Sequence, residues 1–461
     1  MVETSNKAST YNLTQFDRAM RFPQIIKSLI DSDLYKLTMM AAVAQLFPRK
    51  KVKYQFINRG KTPFPEGFAA ELREQVGAMS NIRLTPEEKE FLQKKCWYLP
   101  PTFLDLLEGY RYNPSEVGII QNGGDLIITI EGYWYKAILW EVPLMALISE
   151  LYFKMTHPEG IAKQRRELEK KNLGKAQEFA KNLVKVADFG TRRRYSFENQ
   201  LNVCKDLLSF HNSKSFFVGT SNPLIAMMLD IPVLGTHAHE WVSGIAAMKG
   251  YAHANREMMD AWMSVYEGDL GTALTDTFGV DAFLNDFTTL YAKLFDSVRH
   301  DSGDPYKFVD KMVAHYKKLR IDPMSKTIIF SDGLTTELSI KLAEYCEGKI
   351  MCSFGIGTHL TNDVGVKPLN IVIKMIMIDG MHVIKLSEDH AKAVGDEETI
   401  AHAKFVNGIK DETPEAVIDP RQGISAAERS MEPYYERQRN CEHVWQRGQG
   451  GTFCNKCGVL D

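Results

Sequence analysis

SVRHDSGDPYKFVDKMVAHYKKLRIDPMSKTIIFSDG, residues 297–333, is the stretch from which the fold is read. SVRHD is a short apolar run closed by polar residues, DPYKFVDKMVAHYKK has helical apolar spacing, and TIIFSD is a second run with the same ending. Two strand-like runs joined through a helix form a βαβ unit, and strands joined that way lie parallel. The same texture recurs on both sides, in VKVADF (184–189), SFFVG (215–219), VLGTHA (233–238), TALTD (272–276) and MCSFG (351–355). Seven or eight such units in succession predict a (β/α) barrel rather than an open sheet. The loops after barrel strands form the active face. Here they read FGTRRR (189–194), GTSN (219–222), THAHEW (236–241), RHDSGD (299–304), SDG (331–333) and GIGTHLTND (355–363). Six clusters of Arg, His, Asp, Ser and Gly in register predict an enzyme.

The flanks have another texture. Residues 25–47 show helical apolar spacing, and Lys51–Ile57 alternates with Val52, Tyr54 and Phe56 on one face. Val117–Gln121 and Asp125–Tyr133 flank Asn122-Gly123-Gly124 as a hairpin, and LNIVIKMIMIDGMHVIKLS turns at Asp379-Gly380 as another. Residues 159–185 read as a long charged helix with a solvated face. The expected organisation is an α/β domain over 1–155 completed by 370–440, a barrel over 156–369, and a separate tail over 441–461.

Composition narrows the function classes. The 461 residues hold 56 Lys+Arg against 58 Asp+Glu, a formal charge of −2, which disfavours nucleic acid or an acidic membrane as the main partner. The longest run without a charged residue is Ser215–Leu229, 15 residues, whereas spanning a bilayer takes about 20 apolar ones. The N-terminus is polar, so a cytoplasmic protein is expected. Of the seven cysteines, Cys96, Cys204, Cys346 and Cys352 are scattered and expected to be reduced. Cys441-x-His443 and Cys454-x-x-Cys457 supply four soft ligands around a flexible Gly448–Gly451 connector, the spacing of a small structural zinc knuckle.

The rim clusters point to phosphate chemistry. Asp301 and Asp304 flank Ser302-Gly303; carboxylates here suit a sugar diol or Mg²⁺, while Asp304 before a helix equally suits an N-cap. The glycines of residues 355–363 can present backbone N–H groups to a phosphate. Guanidinium groups of residues 192–194 bind phosphate or carboxylate in bidentate fashion, although three adjacent arginines cannot all face one ligand, and one or two belong in surface ion pairs. His237 and His239 suit a metal ligand, a general base or a phosphoryl acceptor, and the neighbouring clusters favour chemistry for His239. Together these parts suit a phosphorylated, sugar-phosphate substrate with Mg²⁺.

SDLYKLTM, DFGTRRR, GTSN, GTHAHEW, RHDSGDP, FSDG and FGIGTHLTND follow one another in this order. The ordered set, spread over about residues 25–390, resembles the nicotinate phosphoribosyltransferases, type II phosphoribosyltransferases of NAD salvage. The resemblance implies an irregular α/β barrel with a smaller α/β domain, acting as a homodimer with shared sites. It also implies joining of nicotinate to 5-phosphoribosyl 1-pyrophosphate, coupled to ATP hydrolysis through a phosphohistidine. By position, Phe189 and Tyr35 are similar to the aromatic pair around the pyridine ring, Tyr35 coming from the partner subunit. Arg192 and Arg299 are similar to ligands for phosphate, pyrophosphate or carboxylate, and Asp301 to a ribose-hydroxyl contact. Asp332-Gly333 resembles a sugar-side contact, Gly357-Thr358 a 5-phosphate cradle, and His239 the phosphorylated residue. Ser221 stands where the related nicotinamide enzymes place an Asp; a hydroxyl can donate to a carboxylate, so the nicotinate form is expected. Nicotinamide or quinolinate is the alternative base. Some members of the family carry a C-terminal zinc-binding extension, which the tail resembles.

Overall fold

The computed structural model describes residues 20–387, 395–409, 445–448 and 451–454. Its strands are β1 (Lys51–Asn58), β2 (Val117–Asn122), β3 (Asp125–Tyr133), β4 (Val186–Asp188), β5 (Phe217–Thr220), β6 (Thr272–Leu274) and β7 (Ser297–His300). They continue with β8 (Thr327–Phe330), β9 (Met351–Ile356), β10 (Ile371–Ile378), β11 (Met381–His382), β12 (Trp445–Gly448) and β13 (Gly451–Cys454).

The alternation in β1 buries Val52, Tyr54 and Phe56, as its period of two requires. β1 is the central strand of a five-stranded sheet ordered β11-β10-β1-β3-β2, in which every pairing is antiparallel. The β10–β11 hairpin turns where expected: Asp379 (φ 46°) and Gly380 (φ 80°) both take the left-handed conformation of a tight turn. Asp379 is also held by the Lys51 amide at 2.9 Å and Lys50 Nζ at 2.7 Å. Residues from beyond the parallel unit thus complete the sheet begun by β1.

The strand–helix alternation makes a six-stranded parallel sheet ordered β5-β4-β9-β8-β7-β6. Six of the seven quoted runs become strands of this ladder. The seventh, VLGTHA, makes only a single parallel bridge, Thr220↔Val233. Pro232 has no amide to donate, and the chain then swings onto the helix Leu34–Leu46, where Thr38 Oγ1 donates to the Thr236 carbonyl at 2.5 Å. A side chain at Gly235 would begin 3.0 Å from the Tyr35 amide nitrogen, so only glycine admits that approach. On the far side, Thr236 Oγ1 donates to the Thr272 carbonyl of β6 at 3.3 Å. The segment 233–236 therefore lies between the two edge strands without forming a ladder with both.

The helix Leu34–Leu46 begins later than its apolar spacing suggested, and residues 34–43 are buried on every side. It lies between the two sheets with Phe47, whose ring is 5.9 Å from Trp134 and 6.0 Å from Trp241. Aromatic pairs of this kind contribute about 0.5–1.5 kcal/mol each beyond the area they bury. This core fixes the helix His239–Lys249, which carries Trp241, against the antiparallel sheet. The charged helix is Arg165–Lys181, preceded by a turn of 3₁₀ helix at Ala162–Gln164. No helix among the described residues is long and apolar enough to cross a membrane.

Candidate active site

The carboxyl ends of β6 and β7 open onto a cleft lined by Tyr35, Arg192, His239, Arg299 and Asp301, five of the anticipated residues, together with Glu141, Lys374 and Lys385, which were not anticipated. His239 is the first residue of its helix, and Ala238 supplies the N-cap backbone. Its Nε2 lies 2.8 Å from Asp276 Oδ1, and its Nδ1 lies 3.7 Å from Asp301 Oδ2, too far for a hydrogen bond. Burial, reinforced by the nearby Lys385 ammonium, lowers the His239 pKa to about 4 against the pull of Asp276. The positive end of a helix dipole acts in the same sense. His239 is therefore a neutral imidazole that donates Nε2–H to Asp276 and keeps the Nδ1 lone pair open.

Asp276 accepts more than this one bond. Ser302 Oγ donates to its Oδ2, and Lys385 Nζ lies 3.1 Å from the same oxygen. Burial alone would raise its pKa, but His239 and Lys385 hold it well below the usual carboxylate range. With His239 neutral, the balancing charge is that of Lys385. Asp301 uses Oδ1 for Arg299 NH2 at 2.9 Å and Ser331 Oγ at 2.6 Å. Arg299 Nε donates to Ser331 Oγ at 2.8 Å, which orients the guanidinium. Burial opposes the ionised Asp301, yet the Arg299 guanidinium keeps it below the usual range.

Lys374 enters from β10 and Arg192 from the turn after β4. Burial, then repulsion from Lys385, lowers the Lys374 pKa to about 7. Arg192 lies 3.7 Å from Glu141 Oε1. Arg193 faces Asn370 Oδ1 at 3.4 Å. Arg194 corrects the expectation of surface ion pairs: it is fully buried and bidentate on Asp31, at 2.6 and 2.8 Å. His237 belongs to the core, its ring 5.0 Å from that of Trp262, and burial lowers its pKa to about 3.

The remaining anticipated residues lie outside this cleft lining. Phe189 and Gly357 meet at the adjoining ends of β4 and β9, where the Phe189 amide donates to the Ile356 carbonyl at 2.9 Å. A Cβ at Gly355 would fall 2.2 Å from the Phe189 ring, so glycine there is what lets the ring lie across β9. Thr358 begins the short helix Thr358–Thr361, and Asp332 and Gly333 follow β8. All sit at the carboxyl ends of the same sheet. Asp304 is the cap: its Oδ1 accepts from the Tyr306 and Lys307 amides at 2.9 and 3.2 Å.

Tyr35 lines the cleft of this chain, where the Leu34 amide donates to the Ser221 carbonyl at 2.8 Å and ties the helix start to this rim. Ser221 is buried, and its hydroxyl donates to Asp33 Oδ1 at 2.6 Å. Burial raises the pKa of Asp33.

Asp276 was legible as the last residue of TALTD but was not picked out among the rim loops. Lys374 and Lys385 had a plainer signal, a lone lysine in an otherwise apolar strand or turn. Asp301 keeps Oδ2 open, so with phosphate oxygens it fits Mg²⁺, and His239 and Asp276 offer further ligand atoms within 4.8 Å. Cys441, His443 and Cys457 lie outside the described residues; Cys454 ends β13, and the hairpin pairs it with Trp445.

Comparison with known proteins agrees with this geometry. A model of the nicotinate phosphoribosyltransferase (NAPRTase) N-terminal domain matches residues 30–149, and one of the NAPRTase family matches residues 184–409. A nicotinate phosphoribosyltransferase of Desulforapulum autotrophicum is 49% identical over 385 residues, covering 82% of this chain and 98% of the relative. One from Chromohalobacter salexigens is 47% identical over 387 residues, covering 83% and 98%. The crystal structure of nicotinate phosphoribosyltransferase from Porphyromonas gingivalis superposes with a TM-score of 0.80 at 43% identity, covering 84% of this chain and 100% of that one. The Vibrio cholerae structure gives 0.80 at 33% identity, covering 88% and 98%.

Proposed function

The chain belongs to the nicotinate phosphoribosyltransferase family, and from that premise we propose how its cleft carries the reaction. The enzyme joins nicotinate to 5-phosphoribosyl 1-pyrophosphate, giving nicotinate mononucleotide and pyrophosphate. The pyridine nitrogen bonds to ribose C1 as the bond from C1 to the pyrophosphate oxygen breaks. Positive charge develops on the ribosyl centre and negative charge on the leaving group, so cations at the leaving group stabilise the transition state. Arg192, Arg299 and Lys374 line the cleft in a position to serve that end. Mg²⁺ would be held by Asp301 Oδ2 together with substrate phosphate oxygens, and when bound it neutralises charge on the departing group.

ATP coupling is assigned to His239. Its Nδ1 attacks the γ-phosphorus of ATP; the N–P bond forms, the bond to the bridging oxygen breaks, and ADP leaves with the electron pair. Hydrolysis later returns phosphate and the free imidazole. One observation carries this reading: Asp276 holds Nε2–H at 2.8 Å and thereby leaves the nucleophilic Nδ1 unprotonated in the cationic cleft. Nicotinate mononucleotide formation, measured with and without ATP, tests it alongside trapping of acid-labile phosphate from γ-labelled ATP. His239→Ala should lose nicotinate-dependent ATP hydrolysis and keep some ATP-independent transfer; retained coupled hydrolysis rejects the assignment.

Phe189, Asp332, Gly333, Gly357 and Thr358 fall at the β4, β8 and β9 ends, which suits the base and sugar-phosphate side. The segment 233–236, spanning the gap between β5 and β6, supports an irregular barrel closed without a full ladder. A homodimer is the family's expectation. A structural Zn²⁺ on Cys441, His443, Cys454 and Cys457 is supported by the spacing of the motif and by the hairpin that pairs Trp445 with Cys454.

A further inference from the structure

Lys36 stands between the two halves of this site. Its ammonium is wholly buried and paired with two carboxylates, Glu141 at 2.5 Å and Glu240 more closely still. Glu240 is held from two further directions: Tyr54 Oη donates to its Oε1 at 2.6 Å and Trp134 Nε1 donates at 2.7 Å. Glu141 in turn lies 3.7 Å from Arg192. Burial alone would strip Lys36 of its proton; Glu141 and Glu240 outweigh burial and raise its pKa above the ordinary lysine value. Sequence adjacency gives the network its meaning. Lys36 follows Tyr35 directly, and Glu240 follows His239 directly. One buried cation therefore joins the neighbour of the cleft's aromatic ring to the neighbour of the imidazole.

We propose that Lys36 and Glu240 are positioning residues that couple the state of His239 to the Tyr35–Arg192 side of the cleft. The inference rests on the reading of His239 as the phosphoryl acceptor. A buried ion left without its partner is strongly unfavourable, so Lys36 has few places to go and its shifts are discrete. A phosphoryl group brings a charge of roughly −1.5 to −2 to the first turn of the helix, next to Glu240. That charge draws the Lys36 ammonium toward Glu240 and loosens its hold on Glu141. Glu141 then closes on Arg192 and fixes the guanidinium for its anionic ligand.

The test is Glu240→Gln, which can keep both bonds to Oε1 while removing the charge and the acceptor that Lys36 uses at Oε2, with Lys36→Met as a second variant. ATP hydrolysed per nicotinate mononucleotide formed is measured beside phosphoenzyme yield and melting temperature. Glu240→Gln should still form the phosphoenzyme but consume about fivefold or more ATP per product. Lys36→Met should move the ratio in the same direction, and the double variant should add little, as expected for residues acting as one unit. A folded Glu240→Gln enzyme that phosphorylates normally, keeps the parental ratio and loses only kcat or stability would overturn the proposal. Absence of acid-labile phosphate in the parent enzyme would instead overturn the reading of His239 itself.

Discussion

His239 and Asp276 form a buried imidazole–carboxylate pair, Nε2 to Oδ1 at 2.8 Å, in which the acid fixes the tautomer and the base keeps its other nitrogen open. Asp276 can do this because Ser302 and Lys385 occupy its second oxygen, so it has no rotational freedom to spend. The pair is built across two elements, the loop after β6 and the first turn of the helix His239–Lys249.

Asp276→Asn should therefore harm phosphorylation through orientation rather than through binding. An amide can offer its NH₂ to Nε2 and so drive the proton onto Nδ1. We expect the rate of phosphoenzyme formation to fall by about 100-fold or more, with little change in the KM for nicotinate. An unchanged phosphorylation rate would show that the tautomer is set elsewhere.

Lys374 predicts a pH dependence. Its pKa is lowered to about 7, so the free enzyme carries this charge below pH 7 and loses it as the pH rises. A bound pyrophosphate favours the ammonium, and binding at pH 8 should take up as much as one proton. The KM for 5-phosphoribosyl 1-pyrophosphate should rise by up to about tenfold from pH 6 to pH 8, the change expected if only the charged form binds. Lys374→Met should flatten that rise. Calorimetry in buffers of different ionisation enthalpy measures the proton directly.

Arg194 and Asp31 form a stability element. Asp31→Asn removes the close carboxylate partner of a buried guanidinium, which keeps Gln200 Oε1 at 3.4 Å and Glu150 at 3.8 Å. Breaking one side of a buried pair costs about 3–5 kcal/mol. The denaturation midpoint of this variant should drop accordingly, whereas Arg193→Gln, on a partly exposed side chain, should change it by about 0.5 kcal/mol or less.

The tail gives a metal prediction separable from catalysis. Protein purified without a histidine tag should contain about one zinc per chain. Cys454→Ser should remove the metal while transferase activity stays near the parental value. A zinc-free, fully stable parent protein would refute the knuckle.

Much of the fold was legible because strands and helices announce themselves locally. The alternation in β1, the Asp379-Gly380 turn and the runs ending in TIIFSD and SVRHD each needed only neighbouring residues to be read. VLGTHA was misread because its β-like composition says nothing of Pro232 or of the Tyr35 backbone lying against Gly235. The rim was legible as a collection, and the family resemblance rested on that collection.

By itself, the sequence determined that parallel strands would present Arg, His and Asp at one rim, because strand period, turn chemistry and loop composition are local properties. Only the tertiary structure decided what each of those residues does. Arg194 is withdrawn from the rim by Asp31, 163 positions away, and Ser221 is bound to Asp33, 188 away. Asp276 meets Lys385 across 109 positions, and Lys36 meets Glu240 across 204. Such pairings follow from sheet order and burial. A buried charge must find a partner wherever the fold brings one, and no local pattern records where that is.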